Sequence, residues 1–220
     1  MTVRGILFDV DGTLVDSNVA HARAWHDAFT EAGLDGGDVE RIRRLIGMGS
    51  DKLLPTAVGI DKHSPQGERL AKRRAEIFKE RYLPHVRAFP RAHDLVEALS
   101  TRGLTLGVAT SAQPDELTSL LRIVDAEWLA KRAASSDDVK SSKPDPDVVD
   151  VALKHIGLPA SDVVLIGDTP YDVEASLRAG IRVVALRCGG WDDEELRGAT
   201  AVYADPADLL AHLDDSPLRS

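Results

Sequence analysis

The chain has 220 residues, a formal net charge of -9 and a single cysteine, Cys188. A chain of this length buries enough surface to fold without a disulfide or a structural metal, and one cysteine allows no intrachain disulfide. The acidic balance argues against a nucleic-acid-binding surface. No apolar run is long enough to span a membrane, and the short run near the N-terminus predicts no signal peptide. We therefore expect a cytoplasmic globular protein without nucleic-acid or membrane partners.

Short apolar runs alternate with amphipathic segments over much of the sequence. Strands are predicted at residues 5–10, residues 104–110, Val163–Gly167 and Arg182–Leu186, with a shorter one near residues 131–135. Helices are predicted at residues 92–100, 147–155 and 172–179. Repeated strand–helix–strand units form a parallel sheet with helices on both faces. The predicted fold class is therefore α/β, with a Rossmann-like, doubly wound sheet.

Only helical patterns occur between residues 17 and 86. Helices are predicted at residues 19–32, 39–46, 52–58 and 66–83. This segment, which we call the helical insert, has a net charge of +2, whereas the rest of the chain has -11. A basic insert above an acidic core would suit an anionic substrate and a metal held by carboxylates, although solvated helix faces explain the same charges equally well. We predict a core domain of residues 1–16 and 87–220 and a cap domain of residues 17–86.

Two carboxylates mark the carboxyl end of the first predicted strand. Asp9 and Asp11 are followed by a Gly-Thr pair that ends the strand. Ligands of open parallel sheets bind at this edge, and two adjacent carboxylates can act as nucleophile and general acid. A polar strand end followed by an Asp-Gly turn explains this pair equally well.

Three later segments place polar groups at the same predicted edge. Thr110 and Ser111 offer a hydroxyl and backbone N–H groups to a phosphate. Lys143 lies in a Lys-Pro-Asp-Pro segment, whose prolines would fix the direction of its ammonium group. Asp168 is a hard oxygen ligand suited to magnesium, and Asp172 could orient Lys143. Taken singly, each of these is more often a helix cap, a surface lysine or a turn.

Taken together and in this order, the four segments resemble the motifs of the haloacid dehalogenase-like superfamily. They read FDVDGTL at residues 8–14, TS at 110–111, KP at 143–144 and GDTPYD at 167–172. The resemblance extends from residue 5 to about residue 208, and the helical insert matches the helical cap of the family. The insert after the first motif is similar to that of phosphoglycolate phosphatases and β-phosphoglucomutases.

The resemblance implies a division of work among the acidic residues. Asp9 would attack the substrate phosphorus and form an aspartyl-phosphate, while Asp11 would protonate the leaving alcohol and then activate water. Mg²⁺ would be held by the Asp9 carboxylate, the Asp11 backbone carbonyl and Asp168. A magnesium-dependent enzyme acting on a small phosphorylated metabolite is therefore expected.

The resemblance also assigns the phosphate-binding groups. Thr110, the Ser111 amide and Lys143 would bind the phosphoryl oxygens, and Asp172 would support Lys143. Hydrolysis is favoured over the mutase reaction because Gly167 stands where mutases tend to have an acidic residue. A β-phosphoglucomutase-like activity remains the alternative, and a phosphate-responsive binding or regulatory protein is the alternative from another class.

The helical insert contains the candidates for contacts with the rest of the substrate. His21 could align Asp11, or it could be an interfacial histidine packed near Trp25. Arg44, the loop 46–49 and the basic residues of the segment 72–79 could contact the substrate, although a turn and a solvated helix face explain them equally well. Hinges are predicted at residues 15–17 and 84–89. Arg91 stands where relatives usually have glycine, and either a monomer or a homodimer is expected.

Overall fold

A parallel sheet forms the centre of the molecule. The computed structural model describes residues 2–219, and within them six strands form one sheet: β1 (Gly5–Phe8), β4 (Thr105–Ala109), β5 (Ala133–Ala134), β6 (Val163–Gly167), β7 (Arg182–Leu186) and β8 (Ala201–Tyr203). Their order is β5-β4-β1-β6-β7-β8, and every neighbouring pair is parallel. This topology confirms the predicted α/β fold class. Strand β8 lies at the edge of the sheet and is absent from the sequence prediction.

Helices cover both faces of the sheet. They are α5 (Ala92–Thr101), α6 (Pro114–Ile123), α7 (Asp147–Ile156), α8 (Pro170–Arg178) and α9 (Pro206–Ala211). Ile6 and Phe8 of β1 pack in one apolar layer with α5, α6 and α9, and Leu7 packs in the other with α7 and α8. This alternation is expected because successive strand residues point to opposite faces. The central strands are buried on both sides, as in doubly wound proteins.

The helical insert contains α1 (Asn18–Glu31), α2 (Val39–Arg43), α3 (Ser50–Val58) and α4 (Pro65–Ile77). It has an apolar cluster of its own, which includes Trp25, Phe29 and Leu54. Helix α4 starts at Pro65 because the Ser64 side chain accepts a hydrogen bond from the Gly67 amide. We propose on this basis that residues 17–86 form a cap domain and that residues 1–16 and 87–220 form the core domain. Residues 1 and 220 lie outside the described part of the chain.

The end of the insert differs from the single helix predicted over residues 66–83. Helix α4 is followed by a π-helical turn, Phe78–Tyr82, and a 3₁₀ turn, Leu83–His85. A π turn is a local widening of a helix and is often found near functional sites. Here it carries Phe78, whose ring stacks on that of His21 with centroids 4.0 Å apart.

A short antiparallel ribbon pairs the two chain segments that connect the insert with the sheet. Strand β2 (Val15–Asp16) pairs with β3 (Arg87–Ala88), and the amide of Phe89 donates to the Leu14 carbonyl at 3.0 Å. The ribbon coincides with the predicted hinges at residues 15–17 and 84–89. Within residues 2–219, no helix is both long enough and apolar enough to cross a membrane.

Candidate active site

Three adjacent strands end beside one another at the carboxyl edge of the sheet. Asp9 follows β1, Thr110 follows β4 and Asp168 follows β6. Asp9, Asp11, Thr110 and Ser111 line a cavity of about 50 Å³ that is closed from above by residues of the helical insert. The parallel topology thus brings together polar residues that are far apart in the sequence.

Lys143 lies between two carboxylates beneath this cavity. Its Nζ donates to Asp9 Oδ1 at 2.5 Å and to Asp172 Oδ1 at 2.6 Å, and the side chain is wholly buried. Burial acts to lower the pKa of Lys143, but the charges of Asp172 and Asp9 outweigh it and raise this pKa. The lysine is therefore a fixed positive charge beside Asp9.

A helix cap holds Asp172 in place. Asp172 Oδ2 accepts hydrogen bonds from the Thr169 amide at 3.0 Å and from the Thr169 hydroxyl at 2.6 Å, and Thr169 Oγ1 accepts from the Asp172 amide. This reciprocal arrangement is a capping box at the start of α8. A Cβ at Gly167 would lie 2.6 Å from Asp172 Cγ, so glycine has a packing reason at this position. The helix cap thus orients the Asp172 carboxylate, and this carboxylate in turn orients Lys143.

Asp168 is also fully buried and its two oxygens are held separately. Oδ1 accepts from Thr13 Oγ1 at 2.8 Å, and Oδ2 accepts from Asn18 Nδ2 at 3.0 Å. Burial, followed by the charges of Asp172 and Asp9, raises the pKa of Asp168. Gly189 packs so closely that a Cβ there would lie 1.7 Å from Asp168 Oδ2. The position of this carboxylate is therefore tightly fixed.

The surroundings of these acidic residues suit a divalent cation. Ligand oxygens of Asp9, Asp168 and Asp172 lie within 4.8 Å of one another, and all three residues are buried. Burial raises the pKa of Asp9 to about 8, although Lys143 opposes this effect. Buried charges are costly unless they are paired or coordinate a metal, and carboxylate oxygens are preferred ligands of hard cations. The cluster could therefore hold a metal ion.

Asp11 has different surroundings from Asp9. His21 Nε2 lies 2.8 Å from Asp11 Oδ1, and the Ser17 hydroxyl donates to the same oxygen. Burial acts to raise the pKa of Asp11, but the charge of His21 and the hydrogen bonds from His21 and Ser17 outweigh it and lower this pKa. The contact corresponds to the expectation in which His21 aligns Asp11.

Thr110 and Ser111 line the cavity, and their side chains make hydrogen bonds to neighbouring segments. The Thr110 hydroxyl accepts from the Ala112 amide at 3.1 Å, which fixes the turn after β4. The Ser111 hydroxyl donates to the Gly47 carbonyl of the insert at 3.1 Å. The structure therefore gives the Ser111 side chain a docking contact, while the role predicted for its amide stays a prediction.

Arg44 is not among the residues that line this cavity, and the substrate contact suggested for it stays a prediction. Its guanidinium lies 3.8 Å above the Trp191 ring and pairs with Glu195, and its carbonyl accepts from the Tyr171 hydroxyl at 2.6 Å. The short helix α2 directs this arginine toward the core surface. Arg44 therefore fastens the insert to the core outside the lining of the cavity.

Arg74 lines the cavity instead. In the sequence, Arg74 stands out only as part of the basic segment 72–79 of the insert. The spacing along the helix could have identified Arg74, because it is four residues after buried Leu70 and three before buried Ile77. Residues with this spacing lie on the same face of a helix. Arg74 thus lies on the inner face of α4.

Comparison with known proteins identifies the family of the chain. Residues 6–186 match the haloacid dehalogenase-like hydrolase family. The chain belongs to this family. This haloacid dehalogenase-like hydrolase is 30% identical to N-acetylmuramic acid 6-phosphate phosphatase of Pseudomonas putida over 98% of each chain. It is 29% identical to phosphoglycolate phosphatase of Rhodospirillum rubrum, covering 94% of this chain and 89% of the other. A hydrolase of Pseudomonas syringae superposes with a TM-score of 0.90 at 34% identity, over the full length of both chains.

Proposed function

We propose that this haloacid dehalogenase-like hydrolase is a magnesium-dependent phosphatase of small phosphorylated metabolites. The observation that carries the proposal is the contrast between Asp9 and Asp11, which are two residues apart. Asp9 lies against Lys143 and two further buried carboxylates, whereas Asp11 is held by His21. Two carboxylates in unlike surroundings are suited to separate roles in catalysis. The similarity to two phosphatases supports hydrolysis as the reaction.

Asp9 would act as the nucleophile. Lys143 occupies Asp9 Oδ1, and within residues 2–219 no hydrogen bond is donated to Asp9 Oδ2. In the proposed first step, Oδ2 forms a bond to phosphorus while the bond from phosphorus to the leaving oxygen breaks. The Lys143 ammonium remains beside the phosphoryl group and offsets its negative charge.

Asp11 would supply and recover the proton. Its Oδ1 is held by His21 and Ser17, so the carboxyl group has a fixed orientation beside the cavity. In the first step the protonated group would donate to the leaving oxygen, which requires that bound substrate raise the pKa of Asp11 against the lowering effect of His21 and Ser17. In the second step it would accept a proton from the water that attacks the aspartyl-phosphate, which restores Asp9.

The metal-binding residues in this proposal are Asp9, Asp168 and the backbone carbonyl of Asp11. Bound Mg²⁺ would neutralise charge on the phosphoryl oxygens and thereby reduce their repulsion of the nucleophile. Thr13 and Asn18 hold Asp168 in the orientation for this role. Both carboxylate oxygens of Asp172 already accept hydrogen bonds, Oδ1 from Lys143 and Oδ2 from Thr169. Asp172 would therefore support Lys143 and the metal-binding residues.

The insert would control access to the site. The cavity of about 50 Å³ has room for a phosphoryl group, and loop 46–49 lies over it through the Gly47 contact with Ser111. The insert covers part of this cavity, so we expect it to move as substrate enters and, on closing, to exclude bulk water during transfer. We further propose that the enzyme acts in the cytoplasm, as a monomer or a homodimer. A lone cysteine is typical of a reducing compartment.

Phosphate release from a panel of phosphomonoesters, measured with and without Mg²⁺, tests the proposal. The panel includes phosphoglycolate and β-glucose 1-phosphate. We expect magnesium-dependent release that Asp9→Asn abolishes and that the control Asp16→Asn, at an exposed carboxylate of β2, retains. Activity in Asp9→Asn would refute the nucleophile. Conversion of β-glucose 1-phosphate into glucose 6-phosphate without release would establish a mutase instead, and phosphate binding without turnover would favour a regulatory protein.

A further inference from the structure

An ion pair between Arg74 and Glu116 joins the insert to the core. Arg74 Nη1 donates to Glu116 Oε2 at 2.8 Å, and the two side chains are only 13% and 12% exposed. Both residues line the catalytic cavity. Glu116 also lines a second, larger cavity of about 470 Å³ between α4 and α6. Glu116, the partner of Arg74, thus lines both cavities, whereas Arg74 lines the catalytic cavity.

Arg74 retains unused hydrogen-bond donors. Its Nε is buried without a partner, and within residues 2–219 its Nη2 donates no hydrogen bond either. Buried donors without a partner are rare because each loses its hydrogen bond to water. Nε and Nη2 form one edge of the planar guanidinium, and this edge matches the two oxygens of a carboxylate. This unused edge can therefore donate to an acceptor that a ligand of the adjacent cavity supplies.

The neighbours of Arg74 fix its position relative to the catalytic carboxylates. The guanidinium carbon lies 5.2 Å from the centre of the Trp25 ring, and Nη1 lies 3.5 Å from His21 Nδ1. The other ring nitrogen of His21 contacts Asp11. Arg74 is thus separated from Asp11, the group proposed to protonate the leaving oxygen, by a single side chain. An anionic group bound by Arg74 would therefore lie close to the leaving oxygen.

The sizes of the two cavities support the same conclusion. The catalytic cavity of about 50 Å³ holds little beyond a phosphoryl group. A leaving group larger than a few atoms must extend elsewhere, and the cavity of about 470 Å³ is adjacent through Glu116. A substrate that extends from the catalytic cavity toward the larger one would lie close to Glu116 and to its partner Arg74.

We propose that Arg74 determines specificity by binding a carboxylate on the leaving group of the substrate. Glu116 acts as a positioning residue that holds the guanidinium by Nη1 and leaves the Nε–Nη2 edge for the substrate. The preferred substrates are then phosphomonoesters of alcohols that carry a carboxylate. Because Arg74 belongs to the insert and Glu116 to the core, this recognition is complete only when the insert is docked. The inference rests on the phosphatase activity proposed above.

Matched substrates that differ at the carboxylate test the inference. Phosphoglycolate is compared with 2-hydroxyethyl phosphate, and N-acetylmuramic acid 6-phosphate with N-acetylglucosamine 6-phosphate. We expect the unmodified enzyme to prefer the carboxylate in at least one pair by roughly tenfold or more in kcat/KM, the size of effect given by a charge-assisted hydrogen bond. Arg74→Met should remove most of this preference. Arg74→Lys, which keeps the charge but lacks the planar edge, should also reduce it.

Two further variants make the test specific. Arg73→Met is the matched control, because the neighbouring Arg73 is 38% exposed and pairs with Glu31 and Glu76 away from the cavity. It should retain the preference. Glu116→Ala should raise the KM of the carboxylate substrate, since Arg74 is then no longer held, and this variant provides an answer even where Arg74→Met fails to fold.

The outcomes separate the inference from the function on which it rests. A preference that persists in Arg74→Met while both substrates are hydrolysed would overturn the carboxylate-binding role. An unmodified enzyme that hydrolyses both pairs without preferring a carboxylate would overturn it as well. If no phosphomonoester is hydrolysed, the proposed function itself is wrong and the inference is overturned with it. An unchanged KM in Glu116→Ala would refute the positioning role.

Discussion

His21 Nε2 lies 2.8 Å from Asp11 Oδ1 and thereby links the first helix of the insert to the carboxyl edge of the sheet. The histidine ring is also stacked on Phe78, which belongs to the π-helical turn at the other end of the insert. Both ends of the insert thus meet at His21, whose ring contacts Asp11, the proposed proton donor. A displacement of the insert would change the surroundings of Asp11, which couples the proposed proton transfer to the docked state.

Replacing His21 should slow catalysis more than it weakens binding. In His21→Ala, Asp11 loses one of two partners on Oδ1, and small errors of position in a proton donor cost up to about 100-fold in rate. We expect kcat to fall roughly 10- to 100-fold with a smaller change in KM. Steady-state kinetics with a hydrolysed phosphomonoester provides the measurement. His26→Ala is the control, because His26 lies on the same helix and is 41% exposed. A rise in KM at constant kcat would instead make His21 a substrate contact.

The raised pKa values of Asp9 and Asp168 predict how metal binding depends on pH. Burial raises the pKa of Asp9 from 3.8 to about 8, and that of Asp168 moves in the same direction. Such groups contribute fully to the free energy of unfolding below the pKa of the unfolded state and lose this contribution as pH rises through the folded pKa. Without metal, their contribution therefore decreases between about pH 4 and pH 8.

Mg²⁺ binds deprotonated carboxylates and competes with these protons. The increase in Tm on adding Mg²⁺ should therefore be larger at about pH 8.5 than at about pH 5.5. Thermal denaturation with Mg²⁺ or with a chelator measures the difference at each pH. Asp168→Asn should remove most of the increase, whereas Asp193→Asn, at an exposed ion pair with Arg187, should not. An equal increase at both pH values would contradict this account.

A methyl group at Gly189 should weaken the metal site. The Cβ of Gly189→Ala would lie 1.7 Å from Asp168 Oδ2, so the carboxylate would have to move. Changes next to a metal ligand commonly cost about 10- to 100-fold in metal affinity. We expect at least a tenfold higher Mg²⁺ concentration for half-maximal activity, measured by titration. Gly180→Ala has a φ of 71° and open space around its Cβ, so it should lower stability without this effect.

Arg91→Gly should stabilise the protein. Arg91 has a φ of 61°, a left-handed conformation that costs a residue with a side chain about 1 kcal/mol relative to glycine. Its ion pair with Asp94 is exposed and compensates little of this cost. Urea denaturation should show an increase of about 0.5–1 kcal/mol in the free energy of unfolding. The control Arg102→Gly, at a φ of -74° after α5, should lower it.

Much of the fold follows from local patterns. Strands Val163–Gly167 and Arg182–Leu186 have the bounds predicted from their apolar runs. Strand β8 escapes prediction because it is three residues long and only half-buried, so its sequence has no strong apolar run. The π turn Phe78–Tyr82 escapes it because widening of a helix depends on what the helix packs against.

The residues of the site also divide into those that the sequence predicts and those that it does not. The motif residues were predictable because parallel strands of one sheet must end at a common edge. The roles of the cap arginines were not, because Arg44 and Arg74 belong to different helices whose orientation is fixed only by docking. The sequence shows that the insert is basic, while the contacts with Trp191 and Glu116 decide which arginine holds the core and which faces the cavity.

The β2–β3 ribbon has a consequence for how such enzymes diversify. Val15 pairs with Ala88 and Asp16 with Arg87, so the two ends of the insert leave the sheet as hydrogen-bonded neighbours. A segment whose ends are already adjacent adds little closure entropy when its length changes. The insert can therefore be exchanged for one of another size without altering the register of the six-stranded sheet within residues 2–219. The ribbon thus provides a point at which the insert can be exchanged, while its docking contacts, such as that of His21 with Asp11, have to be rebuilt with it.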